Sequence, residues 1–238
     1  MRRRAAWLPN IPCALRYNWA ALRGWQGMST RGGGGAGGGQ AATNAQAAAL
    51  AIPANYLERL KQRIREKSLF RGQVTLSSGK TSDYYMDCRL TTLDPEGSVL
   101  VAHAILELLA AQSIRAQAIG GMSIGADPIV AAVAALSFLQ GRPLRGFLVR
   151  KERKEHGRQK RIEGLEAGAV QPPRQVVIVD DVCTTGKSTF EAIAAVEEEG
   201  MKVLAVISLV DREEGGSEEL RKKYPYFAIC TARELLAG

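Results

Sequence analysis

The chain has 238 residues, of which 46% are hydrophobic and 24% are charged, with a formal net charge of +8. This length predicts one domain with or without an appendage, and no apolar run is long enough to span a bilayer. Residues 1–57 contain six arginines and no acid, so they account for +6 of the charge. The folded part is therefore not a strongly basic nucleic-acid binder.

Residues 1–52 are predicted to form a disordered or targeting-like extension. Their second half, RGGGGAGGGQAATNAQAAA, is rich in glycine and alanine and has almost nothing to bury. Residues 1–27 contain arginine and no acid, which is typical of an organelle transit peptide. A start of translation at Met28 is the equally open alternative. Residues 53–238 then form the folded domain.

From Pro53 onward, helix and strand patterns alternate. Apolar spacing and cap residues predict helices at 53–68, 95–112 with Asp94 as N-cap, 127–139 and 187–199. Strands are predicted at 74–76, 84–88, 116–120, 146–149, 175–180, 203–210 and 227–230. This alternation predicts an α/β fold with a largely parallel sheet, in which ligands bind beyond the carboxyl ends of the strands.

Three segments follow predicted strands in that way: GGMSIGADP, RKERKEHG and DDVCTTGKST. The last ends like a P-loop, but a Walker motif would need a glycine where Asp181 stands. The loop therefore suits a single phosphate, bound by backbone N–H groups at a helix N-terminus. Asp180 and Asp181 could accept hydrogen bonds from a ribose diol. The alternative is that the acids only end a strand and that Thr185 or Ser188 caps a helix.

The segment 148–168 is polar, interrupted by glycine and too long for a tight turn. Such a loop after a strand fits a mobile lid over an anionic ligand. The lid's cations could neutralise a pyrophosphate leaving group, and they are Arg150, Lys151, Arg153, Lys154 and His156. A solvated charged loop is the alternative.

VVIVDDVCTTGKST resembles the phosphoribosyl-pyrophosphate (PRPP) signature of type I phosphoribosyltransferases. RKERKEHG resembles the lid of the orotate phosphoribosyltransferase family. GQVTLSSGKTSDYYMDCR, GGMSIGADPI and SLVDREEGG resemble further segments of that family, so the resemblance covers about residues 54–237. It implies a central, mostly parallel sheet flanked by helices, with a small N-terminal hood.

The resemblance also implies roles for individual residues. Lys154, Asp180 and Asp181 would be catalytic, and Thr184 and Arg212 would bind orotate. The PRPP-binding set would be Arg150, Lys151, Lys154, His156, Asp180, Asp181, Val182, Cys183, Thr184, Thr185, Gly186, Lys187 and Ser188. The side chain of Cys183 would serve only as a small filler. For Arg212 the alternative role is a surface salt bridge with Glu213 or Glu214.

The expected chemistry needs Mg²⁺ held mainly through the substrate rather than by protein ligands. We expect a homodimer whose lid is shared across the interface, with no nucleic-acid or membrane partner. Cys13, Cys88, Cys183 and Cys230 form no CxxC motif, which favours a reducing compartment and a cytoplasmic location. Two rival functions are a phosphoribosyltransferase for another base and a PRPP-sensing regulator. The regulator would need a DNA-binding element, which the Gly/Ala-rich N-terminus does not offer.

Overall fold

The computed structural model describes residues 52–75, 81–152, 161–165 and 173–238. They belong to a compact unit that spans Ile52–Gly238. Its first elements are α1 (Tyr56–Lys67), β1 (Leu69–Thr75), β2 (Thr81–Met86), α2 (Arg89–Thr92), α3 (Pro95–Ala111), β3 (Ala118–Met122), α4 (Asp127–Leu139) and β4 (Arg145–Val149). Then come β5 (Ile162–Glu163), β6 (Gln175–Cys183), α5 (Lys187–Glu198), β7 (Lys202–Asp211), α6 (Gly216–Arg221), β8 (Tyr226–Thr231) and α7 (Ala232–Ala237).

The central sheet has six strands in the order β5-β4-β3-β6-β7-β8. All neighbours pair in parallel except β4 and β5, which are antiparallel. The predicted α/β fold with a mostly parallel sheet is therefore confirmed. β1 and β2 form a separate antiparallel hairpin, beside which α1 packs.

Strand β6 shows why the sheet is buried on both faces. Val177 and Val179 belong to one apolar cluster, together with residues of α1, α3 and α4. Val176 and Ile178 belong to the other cluster, with residues of α5. Alternate side chains of a strand point to opposite faces, so a continuous Val/Ile run fills two cores at once.

Several predicted boundaries are confirmed at the residue level. Helix α4 covers the predicted 127–139, and α3 begins after Asp94, whose carboxylate accepts a 3.0 Å hydrogen bond from the Gly97 N–H. This contact satisfies one of the free N–H groups at the helix start. Among the described residues, no helix combines the length and apolar character needed to cross a membrane.

Other boundaries were wrong. The hairpin strands are longer than predicted, and Cys88 lies outside β2 as the residue before α2. Strand β3 runs two residues later than predicted, through Gly120 and Gly121. A Cβ on Gly120 would collide with Phe147, and one on Gly121 with the Val179 carbonyl. These glycines therefore continue the strand because the neighbouring strands leave no room for side chains.

Candidate active site

The loops that follow four strands lie at one edge of the sheet. Since β3, β4, β6 and β7 are parallel neighbours, their carboxyl ends point the same way. The three segments singled out in the sequence follow β3, β4 and β6, and Arg212 follows β7. The structure thus brings GGMSIGADP, DDVCTTGKST and the first residues of the lid to a common edge, where ligands of open α/β sheets bind.

Asp180 and Asp181 lie within β6, which continues to Cys183 instead of ending at Asp180. The extension exists because Val182 and Cys183 still pair with Val210 and Asp211 of β7. Val182 and Cys183, predicted as part of the PRPP loop, are therefore strand residues. The Cys183 thiol is fully buried, which raises its pKa to about 11, and the Cys183 carbonyl accepts a 2.9 Å hydrogen bond from the Arg212 N–H.

The carboxylate of Asp180 is buried and held by the start of α5. Its Oδ2 accepts hydrogen bonds from Thr189 Oγ1 at 2.5 Å and from Ser188 Oγ at 3.1 Å. Burial raises the pKa of Asp180 to about 6, and the two hydroxyl donors oppose that shift. The Ser188 hydroxyl, predicted to face a phosphate, is directed to Asp180 in this structure.

Asp181 lies against the loop after β3. A Cβ on Gly125 would collide with the Asp181 carboxylate. Only glycine therefore allows the loop backbone to come this close to Asp181. Asp181 Oδ1 accepts a 3.0 Å hydrogen bond from the Val182 N–H, and burial raises the pKa of Asp181 as well. The two acids therefore differ in setting: hydroxyl groups hold Asp180, and backbone surrounds Asp181.

The loop 184–186 leads directly into α5. Gly186 has φ +73° and occupies the N-cap position, with no side chain capping the helix. Neither Thr185 nor Ser188 is the cap, so the first-turn N–H groups of α5 remain free of a side-chain cap. The Thr184 carbonyl accepts a 3.0 Å hydrogen bond from the Gly216 N–H, which packs this loop against the start of α6. Thr185 and Lys187 are exposed to solvent at this edge.

The base of the predicted lid borders a cavity of about 370 Å³. Its lining consists of Ser123, Leu148, Arg150, Lys151, Glu152 and Glu163. Arg150 Nη1 lies 3.4 Å from Glu163 Oε1. Lys154 and His156 lie outside the described residues. The structure thus places the first two lid cations, Arg150 and Lys151, beside the loop that contacts Asp181.

Arg212 has a nearly buried side chain, 8% exposed. Its Nε donates a 3.1 Å hydrogen bond to Tyr84 Oη, and Glu214 Oε1 lies 2.9 Å from the same nitrogen. The predicted ion pair with Glu214 is present, but its arginine is not a surface residue. Glu213 instead contacts Arg233 at 2.7 Å.

The donor set of the site suits magnesium only together with a substrate. In the described ranges, no group of three or more His, Cys, Asp or Glu side chains is placed to hold a metal ion. Two neighbouring carboxylates, Asp180 and Asp181, are present at the strand end. Mg²⁺ is commonly bound through one or two carboxylates plus substrate phosphates and waters, so these residues fit it.

Sequence reasoning missed three participants in this geometry: Tyr84, Gly125 and Thr189. Thr189 was detectable, because a hydroxyl in the first turn of a helix can reach back to the strand before it. Gly125 was suggested by the spacing of small residues in GGMSIGADP. Tyr84 carried no local signal, since it lies 128 residues from Arg212.

Comparison with known proteins gives concordant matches. The family model for the phosphoribosyl transferase domain matches residues 129–232. The orotate phosphoribosyltransferase of Rhodopseudomonas palustris (strain BisB5) is 42% identical over 179 residues, which are 75% of this chain and 95% of the relative. That of Sorangium cellulosum (strain So ce56) is 42% identical over 187 residues, covering 78% and 96%. The crystal structure of the Mycobacterium tuberculosis H37Rv orotate phosphoribosyltransferase in complex with PRPP matches with a TM-score of 0.62 and 32% identity, over 76% of this chain and 98% of that chain.

Proposed function

The chain belongs to the orotate phosphoribosyltransferase family, and we propose that it works through the residues at the carboxyl edge of its sheet. The reaction transfers the 5-phosphoribosyl group of PRPP to orotate, giving orotidine 5′-monophosphate and pyrophosphate for de novo UMP synthesis. One observation carries the assignment of roles: Asp180 and Asp181 lie near the carboxyl end of β6, with two residues between Asp181 and the glycine-containing loop that leads into α5.

The 5′-phosphate of PRPP binds at loop 184–188. This segment combines free helix N-terminal N–H groups with the left-handed Gly186, and both features suit a phosphate. Asp180 and Asp181 accept hydrogen bonds from the ribose hydroxyls, because a carboxylate oxygen that already accepts one bond has capacity for another. Their negative charge stabilises the positive charge that develops on the sugar ring.

Pyrophosphate leaves as the bond from ribose C1 to oxygen breaks, and a ring nitrogen of orotate forms the new bond to C1. Arg150, Lys151, Lys154 and His156 supply positive charge where the leaving group becomes more negative. One well-placed group of this kind contributes about 3–4 kcal/mol to the transition state. Mg²⁺, when bound with PRPP, neutralises part of the same charge. Closure of the lid excludes water, which would otherwise hydrolyse PRPP.

Orotate binds near Thr184 and Arg212. A guanidinium presents two parallel donors that match a carboxylate, and orotate differs from uracil by its carboxylate. The nearly buried position of Arg212 strengthens this interaction, because few water molecules compete with the ligand.

We further propose a homodimer with a shared lid. Four apolar side chains in α2, at its C-cap, in early α3 and in the loop after β3 support it: Leu90, Leu93, Val99 and Ile124 expose 46%, 69%, 44% and 67% of their surface. We infer that these side chains contribute to a subunit contact, since large exposed apolar patches mark protein–protein interfaces. A cytoplasmic location is supported by Cys88, Cys183 and Cys230, which are free and buried.

The decisive experiment is orotate consumption by the purified full chain with PRPP, with and without Mg²⁺. We expect magnesium-dependent loss of orotate with equal release of pyrophosphate. If orotate stayed untouched while PRPP bound, the assignment of the base would fail, and uracil and purine bases would be assayed in its place.

A further inference from the structure

Tyr84 and Arg212 join the hairpin to the central sheet at the edge where the site lies. Tyr84 lies in β2, and Arg212 is the residue directly after β7. Besides the hydrogen bond from Nε to Tyr84 Oη, the guanidinium carbon lies 4.7 Å from the centroid of the Tyr84 ring. A cation that is both hydrogen-bonded to a phenol and close to its ring has little freedom to turn.

The contacts of Arg212 use one side of its guanidinium. Both Tyr84 Oη and Glu214 Oε1 approach Nε. Among the described residues, neither terminal nitrogen of Arg212 makes a hydrogen bond. These terminal nitrogens are two of the donors with which arginine binds a carboxylate in bidentate geometry.

Glu214 supplies the negative charge that a nearly buried guanidinium requires. The Arg212 side chain is 8% exposed, whereas that of Glu214 is 40% exposed. A buried charge without a partner is costly, so a counter-charge is needed when no ligand is present. Because Glu214 is on the solvent side, it can turn away when a ligand brings its own carboxylate.

We propose that Tyr84 is a positioning residue that orients Arg212 toward the orotate carboxylate, and that Glu214 is the counter-charge which that carboxylate replaces. This inference rests on the proposed role of Arg212 in binding orotate. It also explains selection for an acidic base: a neutral base such as uracil offers no charge to replace Glu214.

Tyr84→Phe tests the orientation, because it removes the hydroxyl and keeps the ring. Loss of a hydrogen bond to a charged group should raise the KM for orotate about tenfold. The KM for PRPP, and kcat at saturating orotate, should change less than about twofold, because the PRPP contacts remain. Tyr224→Phe is the matched control, since it removes a hydroxyl that donates a 3.0 Å hydrogen bond to Glu197 on α5. It should leave both KM values unchanged.

Glu214→Gln tests the counter-charge. It keeps the size of the side chain and removes the competing negative charge, so the KM for orotate should fall. The discrimination between orotate and uracil should therefore widen, because a neutral base does not compete with Glu214 for Arg212. A rise in the KM for orotate would overturn the role of Glu214.

Arg212→Ala separates failure of this inference from failure of the orotate site. If it raises the KM for orotate but Tyr84→Phe does not, the positioning role is overturned and the orotate site stands. If Arg212→Ala affects the KM values for orotate and PRPP equally, the orotate site itself is wrong, and both proposals fail. In the Arg212→Ala background, Tyr84→Phe should have no further effect on the KM for orotate.

Discussion

Thr189 donates a 2.5 Å hydrogen bond to Oδ2 of Asp180, from the first turn of α5 back to strand β6. Asp180 is only 5% exposed, and this burial raises its pKa to about 6, while the Thr189 donor lowers it. The same helix start that is proposed to bind the phosphate thus also sets the charge of an acid proposed to act on the sugar. Through this hydrogen bond, the first turn of α5 links the proposed phosphate site to the proposed sugar site.

The first prediction concerns the pH dependence of kcat/KM for PRPP. The ionised form of Asp180 is the active one, so activity should fall as the pH drops through about 6. Thr189→Val removes the donor that favours the ionised form, so the pKa of Asp180 rises and the fall should occur at higher pH. The measurement is a kcat/KM profile for PRPP between pH 5 and 9, with the range chosen to bracket a pKa of about 6.

The control for this experiment is Thr92→Val. The Thr92 hydroxyl is buried and has no hydrogen-bond partner among the described residues, so its removal should leave the profile in place. PRPP has ionising phosphates of its own, but these are the same for every variant. If the profile were unchanged in Thr189→Val, the loss of activity at low pH would come from ionisation of the substrate. Asp180 would then not be the group that causes it.

The second prediction compares two glycines near the site. A Cβ on Gly125 would collide with the Asp181 carboxylate, whereas a Cβ on Gly121 would collide with the backbone carbonyl of Val179. A carboxylate can move, and a strand backbone inside a sheet cannot. Gly125→Ala should therefore lower kcat/KM for PRPP at least tenfold with a small change in Tm. Gly121→Ala should lower Tm, by overpacking that costs about 1–3 kcal/mol.

Thermal unfolding and steady-state kinetics of both variants check this contrast. If Gly125→Ala retained full activity, Asp181 would tolerate displacement, and its proposed contact with the ribose would be contradicted. If Gly121→Ala were as stable as the natural chain, β3 and β6 would have room for a side chain at position 121. The predicted collision with Val179 would then be wrong.

The elements that were predicted correctly from the sequence are those whose determining residues lie close together in the chain. The start of α3 could be predicted because Asp94 and Pro95 act within one turn, and α4 because its apolar run begins at Asp127-Pro128. The capping box of α7, formed by Thr231 and Glu234, has an equally local sequence signal, but it was not predicted. Local rules recover such elements because all the interacting atoms are a few residues apart.

Contacts between distant segments could not be predicted in this way. The two-residue strand β5 exists only because it pairs with the end of β4. The last three residues of β6 are strand because β7 lies beside them, although an acid pair ordinarily ends a strand. The contact of Tyr84 with Arg212 depends on the hairpin lying over the sheet edge, and no periodicity encodes it. The resemblance to a known family identified the loops of the site. Only the structure showed which contacts between distant segments hold those loops in place.

The third prediction concerns Lys154, one of the cations proposed to act on the leaving group. Lys154→Ala removes positive charge where pyrophosphate departs, so kcat should fall about 10²–10³-fold, as it does when one preorganised transition-state donor is lost. Tm should change little, because the proposed role of Lys154 is in catalysis. Lys222→Ala is the matched control, because that lysine makes an exposed ion pair with Glu219. Unchanged kcat in Lys154→Ala would remove this lysine from the mechanism.

The fourth prediction tests whether the lid serves the neighbouring subunit. Lys154→Ala impairs the lid, and Asp180→Asn impairs the sugar site, so each homodimer should be nearly inactive. In a mixed dimer with a shared lid, the intact lid of the Asp180→Asn subunit closes over the intact sugar site of the Lys154→Ala subunit. One complete site then forms, and mixing the two variants under exchange conditions should restore activity.

The same mixture gives no recovery if each lid closes over its own subunit, because both sites of the mixed dimer then carry one defect. Formation of the mixed dimer is verified independently, with distinguishable affinity tags on the two variants and purification through both tags. Mixing Lys154→Ala with itself under the same conditions controls for changes caused by exchange alone. Purified mixed dimers without activity would contradict lid sharing, whereas recovered activity would require that Lys154 acts across the interface.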